Sequence, residues 1–193
     1  MMPTKRIIFL IILIFSLQSW TKADDIRDFE IEGISIGDSL LNFFSLQEIK
    51  KNSKPHYYKN ISNFPFLAIE IENHNSFKQY YGIQFHVKKN DNNFKIYAIA
   101  GYDYCLENIK YCYEMKDKIE KDISNIFTNV KINKRAITHD ADKTKKSKVT
   151  YTEYLLENGD AISVNVYDWS KAMNHGDNYD LAIDSVEFIN AFK

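Results

Sequence analysis

Two segments of alternating apolar and polar residues constrain the fold of this chain most strongly. Residues 80–88 alternate, the turn-forming sequence KNDNN follows at 89–93, and residues 94–101 alternate again. Because successive side chains of a β-strand point to opposite faces, this pattern predicts an antiparallel hairpin with one buried face. On the second strand we expect the shared face to carry Phe94, Ile96, Ala98 and Ala100.

Further strands are predicted on both sides of this hairpin. Residues 66–72 form the strand before it, and 149–156 with 161–167 form a second hairpin around Asn158-Gly159, the strongest short turn signal. The inward face of the second hairpin should carry Ile162, Val164 and Val166. Residues 181–188 are predicted as the last strand, and 29–36 as a short opening strand.

Helices are predicted in three places. Between 108 and 129, apolar residues recur every three or four positions and give an amphipathic helix. Its stripe consists of Ile109, Cys112, Met115, Ile119, Ile123 and Ile126. A short helical pair is predicted earlier, over 38–44 and 45–52, where Ser45 and Glu48 have the spacing of a capping box.

The predicted fold class is therefore α+β, with an antiparallel sheet of about six strands. The order is helices, three strands, one long helix and three strands. This layout resembles small helix-plus-sheet domains of bacterial envelopes, including the outer-membrane assembly lipoprotein and β-lactamase-inhibitor folds, a likeness that carries no function. We expect one domain over 24–193, or two halves at 30–101 and 102–193.

The N-terminus has the three regions of a cleavable secretory signal peptide at residues 1–23. Lys5 and Arg6 precede the apolar run Ile7–Leu17, and Thr21-Lys22-Ala23 predicts cleavage after Ala23, with Thr21 or Ser19 as alternatives. The apolar run is shorter than the roughly 20 residues of a spanning helix. No Cys follows it, which argues against a lipoprotein. We expect a soluble periplasmic or secreted mature chain without a transmembrane segment.

The charge of the mature chain argues against nucleic-acid binding. Removing residues 1–23 takes Lys5, Arg6 and Lys22 from the 25 basic residues and none from the 26 acidic ones, which leaves a net charge of −4. A nucleic-acid binder would show a basic excess. The expected partner is instead an envelope protein or a small ligand.

Cys105 and Cys112 are the two cysteines, and an exported chain could join them. Within one helix, seven residues would place them about 10 Å apart, beyond the reach of a disulfide. A bridge therefore requires Cys105 to lie in the loop before the helix. The alternative is two free thiols, with Cys112 packed as a small hydrophobic residue.

The candidate catalytic or metal site is His175, Asp177 and Asp180, with His139 as a further member. A His and two carboxylates on a Gly-containing loop could ligate a divalent ion or serve as acid and base. A polar turn between two strands explains the same residues, so metal binding here is a weak hypothesis, and we expect no cofactor.

Three other groups are weaker candidates. His139, Asp140 and Asp142 resemble the start of a calcium loop, but the Gly and Glu that such a loop needs are replaced by Lys145 and Tyr151. Gln84 and His86 share the polar face of the first hairpin. Residues 131–148 are predicted as a long exposed loop, whose basic residues could contact an anionic partner: Lys131, Lys134, Arg135, Lys143, Lys145, Lys146 and Lys148.

The chain as a whole resembles small exported proteins of unassigned function from streamlined, AT-rich marine alphaproteobacteria. The stretches 33–45 (GISIGDSLLNFFS), 81–101 (YGIQFHVKKNDNNFKIYAIAG) and 164–170 (VNVYDWS) carry the resemblance. It implies a bacterial, periplasmic setting and no activity. The expected function is a non-enzymatic binding or interaction module. The alternative is a small hydrolase or metal-dependent enzyme using His175, Asp177 and Asp180.

Overall fold

The computed structural model describes residues 25–105, 108–127 and 130–193. The predicted signal peptide and its cleavage position lie outside the described residues. The strands are β1 (Glu30–Ile31), β2 (Ile34–Ser35), β3 (Ser53–Lys54), β4 (Phe66–Glu72), β5 (Gly82–Lys88), β6 (Ile96–Tyr104), β7 (Lys131–Thr138), β8 (Lys148–Leu155), β9 (Ala161–Asp168) and β10 (Asn178–Asp184). The α-helices are α1 (Leu46–Lys51), α2 (Ile109–Ile126) and α3 (Val186–Asn190).

Eight of the strands form one antiparallel sheet in the order β3-β4-β5-β6-β10-β9-β8-β7, and β1 pairs with β2 separately. This confirms the α+β class and corrects the predicted strand number. The last strand, β10, lies between β6 and β9, so strands from both predicted halves join in the middle of the sheet.

One face of the sheet packs on the hydrophobic core. The long helix α2 lies across β9 and β10, and the segment 26–49 covers the other half of the same face. Ile162, Val164 and Val166 are fully buried, as predicted. The capping box of α1 is also confirmed, since the Ser45 side chain accepts the N–H of Glu48 while the Glu48 side chain accepts that of Ser45.

Four sequence predictions fail in detail. The predicted loop at 131–148 contains the edge strand β7, whose residues are nearly all exposed and therefore show no alternation. The predicted last strand ends at Asp184, and Ser185 then caps α3 by accepting the N–H of Phe188. The predicted helix at 38–44 is a single 3₁₀ turn over Leu40–Asn42. The predicted strand at 29–36 is the β1–β2 hairpin, because Glu32 and Gly33 turn the chain with positive φ.

A β-bulge in β6 overturns the predicted face of that strand. His86 pairs with Ala98 but Val87 pairs with Ile96, so Tyr97 is an extra residue without a partner on β5. A bulge of one residue moves every later side chain to the opposite face. Ile96 and Ile99 therefore face the core. Ala98 and Ala100 lie on the opposite face, which Phe64, Phe66 and Phe188 cover at Ala98 and which is open at Ala100.

In the part of the chain that the structure describes, no helix is long and apolar enough to cross a membrane.

Candidate functional site

The open face of the sheet contains a cleft of about 500 Å³, which we call the sheet-face cleft. Its floor comes from β4, β5, β6 and β10, and its walls come from the loop after β3, from the end of β9 and from the loops that follow β7 and β9. Sequence segments more than 100 residues apart therefore contribute to one site.

Small residues create the depression in the sheet. Ala100 lies in the floor and leaves the space above β6 unfilled. Gly82 has a different role, because a Cβ there would approach the ring of Tyr102 to 2.5 Å. The Tyr102 ring therefore lies across β5, and its hydroxyl donates a hydrogen bond to Oε1 of Glu72 on β4 at 2.6 Å.

Acidic residues lie at two ends of the floor. Glu72, Gly82, Tyr102 and Asp180 are successive partners across four strands, so they form one row. At about 4.8 Å per strand, Glu72 and Asp180 are about 14 Å apart along this row. Glu70 lies beside Glu72 and forms a 3.3 Å ion pair with Lys54. Among the described residues, the lining of the cleft includes no Lys or Arg.

Asp180 has the most perturbed environment of these carboxylates. It is half-buried at the bottom of the cleft, and desolvation raises its pKa to about 7. Its Oδ1 accepts a 2.6 Å hydrogen bond from Nδ2 of Asn165, which opposes that rise. The negative charge of Asp180 in turn raises the pKa of Tyr167. Burial also raises the pKa of Asp184, two residues further along β10, to about 7.

Aromatic rings form the wall next to Asp180. Trp169 lies between His139 and His175, with ring-centroid separations of 4.5 and 4.8 Å, and Tyr167 lies nearly parallel to it at 5.8 Å. The indole N–H of Trp169 is a buried donor that has no hydrogen-bond acceptor among the described residues. Such a donor is unusual in a folded protein and leaves a hydrogen bond unmade in this wall.

Asp142 positions the loop that carries His139. It is almost fully buried, and its carboxylate accepts hydrogen bonds from the side chains of Thr144, Ser147 and Ser170. The first of these, from Thr144, contributes most to lowering the pKa of Asp142 well below its usual range. The bond from Ser170 ties this loop to the one beginning at Trp169. Asp142 is therefore a structural residue, whereas Asp140 is exposed.

The disulfide is connected to the same wall through Asp177. Cys105 and Cys112 are bonded, with Cα atoms 5.3 Å apart, and Cys105 lies before α2. The backbone N–H of Cys105 donates to the carbonyl of Asp177 at 2.8 Å. The Asp177 carboxylate accepts the backbone N–H of Trp169 at 2.7 Å and does not line the cleft.

The structure thus brings together only part of the predicted site. His139, His175 and Asp180 line the cleft, while Asp177 holds a backbone position. Within residues 25–105, 108–127 and 130–193, no group of three or more His, Cys, Asp or Glu side chains is arranged to hold a metal ion.

Gln84 and His86 lie in different surroundings. Gln84 lines the cleft, but His86 is buried beneath α3, where Phe188 stacks on it at 4.6 Å and the Tyr58 hydroxyl lies 2.7 Å from its Nδ1. Burial lowers the pKa of His86 to about 3, so it is neutral at ordinary pH. His86 therefore lies on the predicted face of the hairpin, but α3 covers it there.

The basic residues predicted to share one loop lie on different elements: Lys131, Lys134 and Arg135 are on β7, whereas Lys148 begins β8. Lys134 and Arg135 border a second groove of about 400 Å³ between α2 and β7–β8. There, Lys134 and the buried Lys116 both pair with Glu120, and their hydrogen bonds, opposed by burial, leave the pKa of Glu120 at about 2. Part of the positive charge is therefore neutralised within the protein.

Several cleft residues were missed at the sequence level. Tyr102 and Tyr104 follow Ala100 at alternate positions, but the bulge hides which face they share. Glu70 and Glu72 alternate with Ile69 and Ile71, which was a usable signal for a polar sheet face.

No protein-family model, no curated protein and no solved structure matches the chain. Function is therefore inferred from the chemistry of the cleft.

Proposed function

We propose that this chain is an exported, periplasmic binding protein that takes a small ligand in the sheet-face cleft and catalyses no reaction. The observation that carries the proposal is the convergence of carboxylates and aromatic rings from distant elements around one cleft of about 500 Å³. Ligand sites are concave and combine apolar surface with a few placed polar groups.

The local construction of the cleft supports a binding role. Asp142 organises one loop, the Asp177 carboxylate and the disulfide region hold the other, and Trp169 lies between the rings that these loops carry. Because these hydrogen bonds hold the wall in place before a ligand arrives, less entropy is lost when the ligand binds.

Export is supported by two independent features. The tripartite N-terminus at residues 1–23 has the pattern of a signal peptide. The Cys105–Cys112 disulfide is of the kind that persists in oxidising compartments such as the bacterial periplasm.

A catalytic role is the second candidate, and one observation favours it. Asp180 faces the cleft with a pKa of about 7, which suits a general acid or base. A hydrolase using His175, Asp177 and Asp180 together would need the Asp177 carboxylate in the cleft, whereas it accepts the backbone N–H of Trp169. We therefore prefer the binding role.

A thermal-shift screen tests the proposal. The purified protein is screened against small acids, amines, sugars and nucleosides, in parallel with Ala100→Phe, which fills the cleft from its floor. Ala136→Phe is the matched control, because Ala136 is an exposed strand residue that does not line the cleft. We expect at least one compound to stabilise the wild type and Ala136→Phe but not Ala100→Phe.

The proposal fails if no compound stabilises the wild type, or if every stabilising compound acts equally on Ala100→Phe. Conversion of a stabilising compound into a product would favour the catalytic alternative, and Asp180→Asn should then abolish that conversion.

A further inference from the structure

We infer that the ligand of the sheet-face cleft is a small linear organic cation with an ammonium group at each end. This inference rests on the proposed binding function and adds the chemical class of the ligand. It depends on three features of the cleft: the sign of its charge, the spacing of its carboxylates and the surface between them.

Apart from the imidazoles of His139 and His175, the ionisable groups of the lining are carboxylates and tyrosine hydroxyls. Glu70, Glu72 and Asp180 contribute carboxylates, and among the described residues no Lys or Arg lines the cleft. Lys54 pairs with Glu70 from the edge strand β3, whereas Glu72 has no cationic partner among the described residues. An anionic ligand would meet only repulsion from these carboxylates, whereas an ammonium group would form charge-assisted hydrogen bonds with them.

The carboxylates are placed at the two ends of a row. The backbone positions of Glu72 on β4 and Asp180 on β10 are about 14 Å apart at the usual strand spacing, with β5 and β6 between them. The Asp180 carboxylate accepts from Asn165 on β9, the side away from Glu72, so it does not lean towards Glu72. One ammonium group cannot contact both. A chain whose two nitrogens lie about 11 Å apart can do so, since each ammonium–carboxylate contact of about 2.8 Å bridges part of the remaining distance.

The surface between the two ends suits a hydrocarbon chain. The ring of Tyr102 lies over Gly82 within the row, so a bound chain would run across this ring. Beside it, Ala100 contributes no polar group, Gln84 contributes one uncharged amide, and the rings of Tyr104 and Tyr57 border the path. Aromatic faces attract ammonium groups and the methylene groups next to them, because the ring face is electron-rich. A sugar would find these rings too, but the end carboxylates would then remain without counter-charges.

Asp180 lacks a counter-charge in the protein itself. Its carboxylate is poorly solvated, and its neighbours on the adjacent strands, Asn165, Tyr167 and Tyr102, add hydrogen bonds or aromatic surface but no positive charge. A bound ammonium would supply the missing counter-charge at the bottom of the cleft.

The probe is 1,8-diaminooctane, measured by isothermal titration calorimetry on the wild-type chain at pH 8, where Asp180 is ionised. Its nitrogens are about 11 Å apart when extended, at about 1.25 Å per bond along the chain axis. The controls are 1,8-octanediol, which has the same length without charge, and 1,3-diaminopropane, which is too short to reach both ends.

We expect 1,8-diaminooctane to bind at least about tenfold more tightly than either control, because a hydrogen bond to a charged group is worth about tenfold or more in affinity. Glu72→Gln and Asp180→Asn should each weaken its binding about tenfold. Asp122→Asn is the matched control, since Asp122 is exposed on α2, and it should bind like the wild type.

The ligand class is refuted if the diol binds as well as the diamine, or if the two cleft variants bind like Asp122→Asn. The comparison of diamine with diol uses the wild type alone, so a variant that folds poorly does not remove the test. If the diamine fails while another compound stabilises the wild type but not Ala100→Phe, the binding function stands and only the ligand class falls. If no compound does so, both fall.

Discussion

Replacing Asp180 with Asn should make the protein more stable at neutral and basic pH. Asn has nearly the same shape as Asp, and its side-chain oxygen can still accept the 2.6 Å hydrogen bond from Asn165. The substitution removes only the charge that the bottom of the cleft solvates poorly. Most substitutions at a half-buried polar position destabilise a protein, so a gain would be diagnostic.

The magnitude follows from the pKa of Asp180, which desolvation raises from 3.8 to about 7. Because the folded state holds the proton more tightly than the unfolded state, the wild type loses stability as the pH rises from about 4 to 7, and the loss is complete above 7. At about 1.36 kcal/mol per pKa unit, the ceiling is about 4 kcal/mol. Water in the open cleft screens the charge, so we expect Asp180→Asn to gain about 2 kcal/mol at pH 8.

The assay is urea unfolding followed by circular dichroism at pH 4, 6 and 8 for the wild type, Asp180→Asn and the surface control Asp122→Asn. The gain of Asp180→Asn over the wild type should be near zero at pH 4 and largest at pH 8. His86, whose folded pKa is about 3, changes the stability of all three proteins alike, so it cancels in the difference. A gain that does not grow with pH, or a variant less stable than the wild type at pH 8, would refute the reasoning.

Three further predictions concern the parts that support the cleft. Asp142→Asn should lower the thermal midpoint clearly more than Asp140→Asn, because Asp142 accepts several side-chain and backbone hydrogen bonds and Asp140 is exposed; equal midpoints in a melting experiment would contradict the structural role. Cys105→Ser should lower the free energy of unfolding by about 2–3 kcal/mol, the loop-closure value for a short disulfide loop, and a reductant should destabilise the wild type but not this variant in urea titrations. Phe188→Ala should cost about 3 kcal/mol, because it removes a buried ring that stacks on His86; the exposed neighbour Glu187→Ala serves as the control, and a similar loss from both variants would count against the packing of α3.

The fold was predictable wherever one face of an element is buried. The stripe of α2 and the alternation of β9 are both produced by burial on one side, and both were identified from sequence. Strand β7 was not, because it lies at the edge of the sheet with both faces exposed, so no apolar alternation marks it. For α3, the Ser185 cap was a local signal, but the apolar residues around it continue the pattern of β10.

The site was less predictable than the fold. His139, His175 and Asp180 were candidates because of their residue types, and they do share a cleft. The floor depends on pairings between distant strands and on the extra residue Tyr97 in β6. Neither the pairings nor the bulge produces a recognisable pattern in the sequence of these strands. Asp142 and Asp177 illustrate the opposite error, since chemically suggestive carboxylates can be engaged in holding the backbone.

The position of β10 has a consequence for how the protein is made. Glu72 and Asp180 can join one row only after β10, the last of the described strands, has entered the gap between β6 and β9. Until then, the growing chain has two partly finished sheets, each with an open edge that can pair with another molecule. Pairing of such distant segments is slow, since the intervening chain must be closed into a loop first. Because β10 follows the other described strands in the sequence, the cleft should be the last part to form as the chain is made. Helper proteins that shield open strand edges should therefore raise the yield of binding-competent protein.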